Sequence, residues 1–361
     1  MLLRSAGGVL TATVAGAYWY RPIPSEWGDE EARSRQASWA SPEILADEPY
    51  TTPGIVHAGR LWLTPLIITM SRVFLRLANT FEVQKDANYE SFLDAVTARS
   101  SATPLITVSN HRSLMDDPPL LSNILPYHVG IQPRYLRYGA CAQEFCYPES
   151  LPGIIYAFMG SGRSMPIKRG GGINQKMWRD FARHAAVGQW IHIFPEAGIW
   201  QHEDGRLGGR DNPGWRGKLK WGIGKLVAHS PVPPVIIPFH HMGMEHIMPQ
   251  DRHRKTISIV PKTNAHVTVK FGESIHVDDL IEEHEKEHGP LRKYSPSSSW
   301  DKLSKLLAGS DSRAHAVSHD ELELIKDWSS SSHEKILYNK ITARIEEALD
   351  RLGERANAGV K

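Results

Sequence analysis

Short apolar runs alternate with longer helical stretches through the middle of this chain, and that alternation constrains the fold more than any other feature. Strand-like runs fall near 105–109, 135–138, 165–167, 190–194, 235–239, 256–260 and 266–271, and helical stretches near 150–159, 173–187 and 216–229. The pattern predicts an α/β fold, a mixed sheet flanked by helices. In such sheets reactive residues gather in the loops beyond strand ends. Two runs end in reactive residues. Pro104–Ser109 leads into Asn110-His111-Arg-Ser-Leu-Met-Asp116, and Trp190–Phe194 leads into Pro195-Glu196.

A histidine held at a strand tip, with a carboxylate fixing its tautomer, can take a proton from a hydroxyl near neutral pH. The spacing alone proves little. His-x-x-x-x-Asp occurs at His111/Asp116, His246/Asp251 and His315/Asp320. Only the first copy follows a β-branched apolar run and precedes Pro-Pro and further apolar residues; the others lie in polar surroundings. Asp117 is an adjacent candidate partner for His111.

Four motifs in order then resemble the glycerolipid acyltransferases, over roughly residues 60–275. They are Asn110–Pro118, Met165-Pro-Ile-Lys168-Arg169-Gly170, Phe194-Pro195-Glu196 and Val235-Ile-Ile-Pro238. Within that superfamily Thr103–His111, Trp221-Gly-Ile-Gly-Lys225 and Gly243-Met244 are most similar to the tafazzin family. The resemblance implies an acyl-transferring enzyme without cofactor, with phospholipids and lysophospholipids as substrates and cardiolipin among them. It implies His111 as general base and Asp116 as its partner. Lys168 and Arg169 would meet a lipid phosphate, Glu196 would position the acceptor, and Asn110 and Gly198 would also serve substrate binding, Gly198 near the oxyanion. It further implies a peripheral or monotopic protein of mitochondrial membranes, facing the intermembrane space; an oligomer is compatible with it. A coenzyme A-dependent acyltransferase is the alternative, and a non-catalytic lipid-binding protein a remoter one. Two departures stand out. The third motif usually reads Phe-Pro-Glu-Gly, but here Ala197 precedes Gly198, and alanine resists positive φ. The segment 199–215 is also unusually long.

The net charge of +2 gives no general case for nucleic acid. The basic residues are clustered, however, around Arg163–Arg183 and Arg206–Lys225, beside the motifs, which suits anionic headgroups. Two cysteines, Cys141 and Cys146, are too few for a disulfide framework or a Cys-rich zinc site. His284-Glu-Lys-Glu-His288 matches a zinc-peptidase pattern, but it is almost wholly charged and stopped by Gly289-Pro290. His240, His241 and His246 lack a carboxylate at ligand spacing, and no metal is expected. The absence of Gly-x-Ser-x-Gly argues against a serine hydrolase.

The chain divides into a lead-in over 1–58, an acyltransferase domain over 59–277 and a charged helical extension over 278–361. The uncharged stretch Ser5–Tyr20 is short for a span of about 20 residues; a presequence, a weak anchor and a disordered start all fit it. Residues 61–78 predict a helix in the membrane interface. Trp62, Leu66, Ile67, Met70 and Phe74 would enter the bilayer, while Arg72 and Arg76 share a face toward the headgroups. Asn88 is the expected cap of a helix ending near Arg99. In the extension, Ile341, Ile345, Leu349 and Leu352 form a stripe expected to dock on the main domain.

Overall fold

The computed structural model describes residues 54–358 apart from 101–102, 148–157, 170, 173–175, 187, 202–218, 231, 252 and 292–329. Residues 1–53 of the lead-in, most of the long segment after the third motif and most of the 150–159 helix lie outside the described residues.

Seven strands form one sheet: β1 (Thr80–Val83), β2 (Leu105–Ser109), β3 (Tyr138–Ala142), β4 (Ser164–Ile167), β5 (Trp190–Ile193), β6 (Val235–Met242) and β7 (His266–Phe271). Their order is β1-β7-β6-β2-β5-β3-β4. Strands β4, β3, β5, β2 and β6 run parallel, β7 turns antiparallel to β6, and β1 pairs parallel with β7. The mixed sheet is the one the alternating runs imply. Strand β2 is buried along its whole length, as a continuous apolar run should be when helices cover both faces. Because five strands share one direction, the loops after β2, β5, β6, β3 and β4 open on one edge, and this brings the four motifs together.

The principal helices are α1 (Gly54–Leu77), α2 (Ala87–Thr97), α3 (Pro119–Asn123), α4 (Lys176–Ala186), α5 (Gly222–Ala228), α6 (Asp278–His288) and α7 (Ser332–Ala358). One core joins Ile106, Val108 and Ile191 to α4, α5 and α7; the other joins Leu105, Ile237 and Phe271 to α1, α2 and α3. The stripe Ile341, Ile345, Leu349 and Leu352 is buried, so α7 docks as expected. Gly224 explains part of the Trp-Gly-Ile-Gly sequence. A Cβ there would lie 2.2 Å from the Tyr338 carbonyl oxygen, so only glycine lets α5 and α7 approach so closely.

Several local expectations are corrected. Residues 256–260 form no strand; Thr256 makes only an isolated bridge to Gln250. The 135–138 run starts late, as β3 from Tyr138, after a 3-10 turn over Pro133–Tyr135. Strand β1 has no counterpart among the sequence runs; it is four residues at the sheet edge with only one fully buried side chain. Helix α2 is capped by Asp86, whose Oδ1 accepts from Asn88 N and Tyr89 N, both at 3.1 Å; Asn88 is not the cap. The predicted strand 256–260 fails because it finds no neighbour, although its residue types suit a strand.

Helix α1 covers the predicted interfacial segment. Trp62, Leu66 and Met70 are exposed, with Leu77 81% exposed at its end. Ile67 lines an internal cavity instead, and Phe74 packs partly on the core. The two arginines also bond protein groups. Arg72 Nη1 donates to Ser122 O at 3.1 Å and Leu125 O at 2.9 Å, and Arg76 Nε donates to Asn123 Oδ1 at 3.2 Å. Both tie α1 to the end of α3. A disulfide joins Cys141, in β3, to Cys146, in the short helical turn that follows it.

Candidate active site

Strand β2 delivers His111 to the shared edge of the sheet. Leu114–Asp116 then make a single 3-10 turn with a capping box: the Ser113 hydroxyl accepts from Met115 N, and the Asp116 carboxylate accepts from Ser113 N. The turn folds Asp116 back under the ring. His111 Nδ1 lies 2.8 Å from Asp116 Oδ2, which also accepts from Arg112 N at 2.7 Å and Ser113 N at 2.9 Å. An ionised carboxylate can only accept, so Nδ1 carries the proton and Nε2 is the nitrogen available to a substrate. The His111 side chain is 20% exposed and Asp116 is fully buried, so the base reaches the cavity and its partner does not. Burial works against the Asp116 charge, but His241, the His111 hydrogen bond and the Ser113 N–H outweigh it and hold its pKa below the ordinary value. Asp117 is otherwise engaged, in an ion pair with Arg137.

The flanking strands brace this unit. Phe194, just past β5, stacks on the His111 ring with centroids 4.1 Å apart and planes 17° apart. Glu196 is buried and its Oε1 accepts from His111 N at 3.3 Å. Asn110 is clamped to β6: its Nδ2 donates to His241 O at 2.8 Å and its Oδ1 accepts from His241 N at 3.0 Å. His241 Nε2 lies 2.9 Å from Asn110 O and 3.6 Å from Asp116 Oδ2. Under the site, His192 Nδ1 pairs with Thr107 Oγ1 at 2.9 Å, and burial drives the His192 pKa well below the ordinary value. His192 is a neutral structural group at neutral pH.

The turn after Glu196 forms despite the alanine. Ala197 takes φ 54° and its N–H bonds Phe194 O at 3.1 Å. Gly198 is buried beneath Arg254, where a Cβ would lie 2.6 Å from Nη2. Arg254 also covers the Trp200 ring at 3.8 Å and donates to Ile199 O at 3.2 Å. Gln201 Nε2 bridges Arg112 O at 2.7 Å and Met248 O at 2.9 Å. The peptide around His111 is therefore held from three sides.

His111 opens on a cavity of about 350 Å³ whose walls are largely apolar, including Ile67, Leu121, Leu125, Phe145 and Phe158. Arg169 lines the same cavity. Its side chain is 52% exposed, its Nε is 3.2 Å from Glu144 Oε1 and its guanidinium lies 5.1 Å from the Phe145 ring centre. Lys168 is exposed and does not line the cavity. Thus His111, Asp116, Glu196, Asn110 and Arg169 gather at one edge, and Lys168 stands apart. Sequence reasoning missed His241, Arg137, Gln201 and Arg254. Only His241 left a trace, as one of a histidine cluster next to the fourth motif. Among the described residues no group of His, Cys, Asp or Glu is arranged to hold a metal ion.

Residues 81–242 match the acyltransferase family. The chain is 32% identical over 222 residues to N-acylphosphatidylethanolamine synthase of Arabidopsis thaliana, covering 62% of this chain and 73% of that protein. It is 30% identical over 241 residues to tafazzin of Drosophila melanogaster, covering 66% of this chain and 58% of that protein. It is also 30% identical over 244 residues to the taffazin of Dictyostelium discoideum, covering 66% of this chain and 73% of that protein.

Proposed function

Because this chain belongs to the tafazzin-like glycerolipid acyltransferases, we propose that it exchanges acyl chains between phospholipids and lysophospholipids without coenzyme A, and so remodels cardiolipin. That it is an acyltransferase acting on phospholipids follows from its family. The donor, the cardiolipin and a peripheral place on a mitochondrial membrane facing the intermembrane space are proposed from the tafazzin likeness. No helix among the described residues is long and apolar enough to cross a membrane, which is compatible with that place.

The observation that carries the reading is the His111–Asp116 pair, set 2.8 Å apart at the wall of an apolar cavity. His111 Nε2 takes the proton of the acceptor hydroxyl as its oxygen attacks the donor ester carbonyl. Asp116 stabilises the imidazolium that forms. The imidazolium then returns the proton to the departing lysophospholipid oxygen, so no acyl-enzyme is needed. Backbone N–H groups near Gly198 would receive the oxyanion. Arg169 would bind the lipid phosphate, leaving Glu144 to do so; a guanidinium offers phosphate two parallel bonds. Glu196 and Asn110 contribute by fixing the His111 peptide rather than by touching the acyl groups.

A second reading has its own support in the plant relative. There the acceptor is the amine of an ethanolamine phospholipid, and His111 deprotonates nitrogen instead of oxygen. The test is an assay with a chain-labelled phospholipid donor, or labelled acyl-coenzyme A, against lysophospholipid and phosphatidylethanolamine acceptors. Label should pass from phospholipid to lysophospholipid, and His111→Ala should lose about 10²–10⁴-fold of that rate. Use of acyl-coenzyme A alone, or N-acyl product alone, overturns the proposed donor or acceptor. Activity of His111→Ala within a few-fold of wild type overturns the mechanism.

A further inference from the structure

The segment between β6 and β7 holds three branched apolar residues that the fold does not use. Ile257, Ile259 and Val260 are 64%, 88% and 69% exposed. Their composition suits a strand, yet no strand pairs with them. They are not held loosely in place. Asp251 Oδ1 accepts from His253 N and Lys255 N, both at 2.9 Å, and Asp251 N donates to Lys255 O at 2.9 Å. Ile257 N then bonds Pro249 O at 2.9 Å, and Lys262 N bonds Ile247 O at 2.8 Å. The Ser258 hydroxyl closes the tip by bonding Val260 N and O, both at 3.1 Å. A backbone fixed at both ends thus presents apolar side chains outward, with Lys255 and Lys262 exposed on either side. Isolated surface apolar residues need no explanation, but a braced cluster of three does.

Two connections say what covers it. Asn264 N bonds Ala78 O at 2.8 Å, which sets the loop's end against the end of α1, next to Leu77 at 81% exposure. The end of the loop therefore lies beside Leu77, the last exposed apolar residue of the helix that also exposes Trp62, Leu66 and Met70. On its other side Arg254 bonds Ile199 O and shields Trp200, whose N–H bonds His111 O at 3.0 Å. We infer that residues 253–262 form a second bilayer-contact element. Ile257, Ile259 and Val260 enter the acyl-chain boundary of an anionic phospholipid membrane, Lys255 and Lys262 meet its headgroups, and Arg254 joins the contact to the peptide bearing His111. The inference rests on the proposed action at a membrane surface. Apolar insertion with flanking lysines is the chemistry of interfacial attachment.

The experiment compares the full chain with the triple variant Ile257→Ser, Ile259→Ser, Val260→Ser. Three readouts are taken: co-sedimentation with phosphatidylcholine–phosphatidylglycerol vesicles, thermal melting, and acyl transfer in detergent micelles. Vesicle affinity should fall by about tenfold or more, because three immersed branched side chains are removed. Melting and micellar activity should stay at wild-type level. A second measurement places an environment-sensitive dye on Ile259→Cys; its emission should shift to the blue on adding vesicles. Vesicle affinity within about twofold of wild type, with no shift of the dye, overturns the inference. So does a wild-type dimer that the triple variant converts to monomer at unchanged vesicle affinity, which makes the cluster a contact between copies of this chain. Wild-type protein that transfers no acyl chain in micelles overturns the catalytic proposal alone, since the vesicle result is read without turnover.

Discussion

His241 Nε2 lies 3.6 Å from Asp116 Oδ2 while reaching the Asn110 carbonyl at 2.9 Å, so one buried ring touches both the partner of His111 and the residue before it. His241 comes from β6 and Asp116 from the turn after β2. The ring therefore locks two neighbouring strand ends around the proposed base. Replacing it with alanine leaves the Asn110 carbonyl short of a donor and the Asp116 charge with less support. His241→Ala is expected to lower kcat by about tenfold with little change in KM, as for outer partners that orient a working group. Rates measured at saturating lysophospholipid check this. A lower Tm with unchanged kcat would make His241 a strut and nothing more.

Asp116 and Asp117 are adjacent in sequence and separate in role. Asp116 binds His111 and two backbone N–H groups, and Asp117 pairs with Arg137. Asp116→Asn should retain the shape of the turn but lose the negative charge, cutting turnover by about 10²-fold or more on the precedent of the Ser-His-Asp template. Asp117→Asn should leave Arg137 short of its counter-ion and cost mainly stability. Parallel kinetics and melting on the two variants decide the matter. A larger loss of kcat at 117 would reverse the assignment.

Arg72 and Arg76 bond groups at the end of α3, and this sets what their substitution should do. The double change Arg72→Glu, Arg76→Glu should cost about 2 kcal/mol of stability, by removing charged hydrogen bonds to Ser122 O and Leu125 O. Trp62→Ser with Met70→Ser should instead leave melting unchanged and weaken vesicle binding, because both side chains face outward. Melting curves beside vesicle co-sedimentation separate the two outcomes. Arginine variants that melt normally and bind vesicles poorly would restore the headgroup reading.

Ala197 occupies a left-handed conformation, φ 54°, in the turn that carries Glu196 toward His111. For a residue with a Cβ that conformation costs roughly 1–2 kcal/mol, part of which glycine returns as backbone entropy in the unfolded chain. Ala197→Gly should therefore stabilise the protein by about 0.5–1 kcal/mol without altering kcat. Chemical denaturation gives the number. A destabilised Ala197→Gly would mean that the alanine methyl makes a contact worth more than the strain.

The parts of the fold legible in the sequence are those written in continuous apolar runs. Strands β2, β5 and β6 are buried along nearly all of their length and β7 buries alternate residues, so their residue types speak plainly. Strand β1 pairs on one side with β7 only and buries little, so Thr80–Val83 left no signal. The 256–260 run gave a false one, because β-branched residue types make a strand only where a neighbouring strand is there to pair with them. At the site, His111, Asp116 and Glu196 were visible because each follows a strand in a fixed motif. Arg254 and Gln201 were invisible: they act through backbone carbonyls of Ile199, Arg112 and Met248, and hydrogen bonds to main chain carry no residue pattern.

Acid probes the Asp116 assignment from another side. The folded-state pKa of Asp116 lies below the ordinary 3.8, because His241, the His111 bond and the Ser113 N–H outweigh burial. A carboxyl whose pKa is depressed by folding adds stability that is complete above the unfolded value and disappears as pH falls through the folded one. Wild type should thus be more stable than Asp116→Asn at about pH 5, by a margin that shrinks on further acidification as the carboxyl is protonated. Thermal melting of both proteins across that range measures the margin. Below about pH 5 the margin must not widen, since a protonated Asp116 carboxyl and the amide that replaces it in the variant are both uncharged. Narrowing already between about pH 7 and pH 6 would point to a histidine as the titrating group, and Asp116 would not be the carboxylate that holds His111 in place.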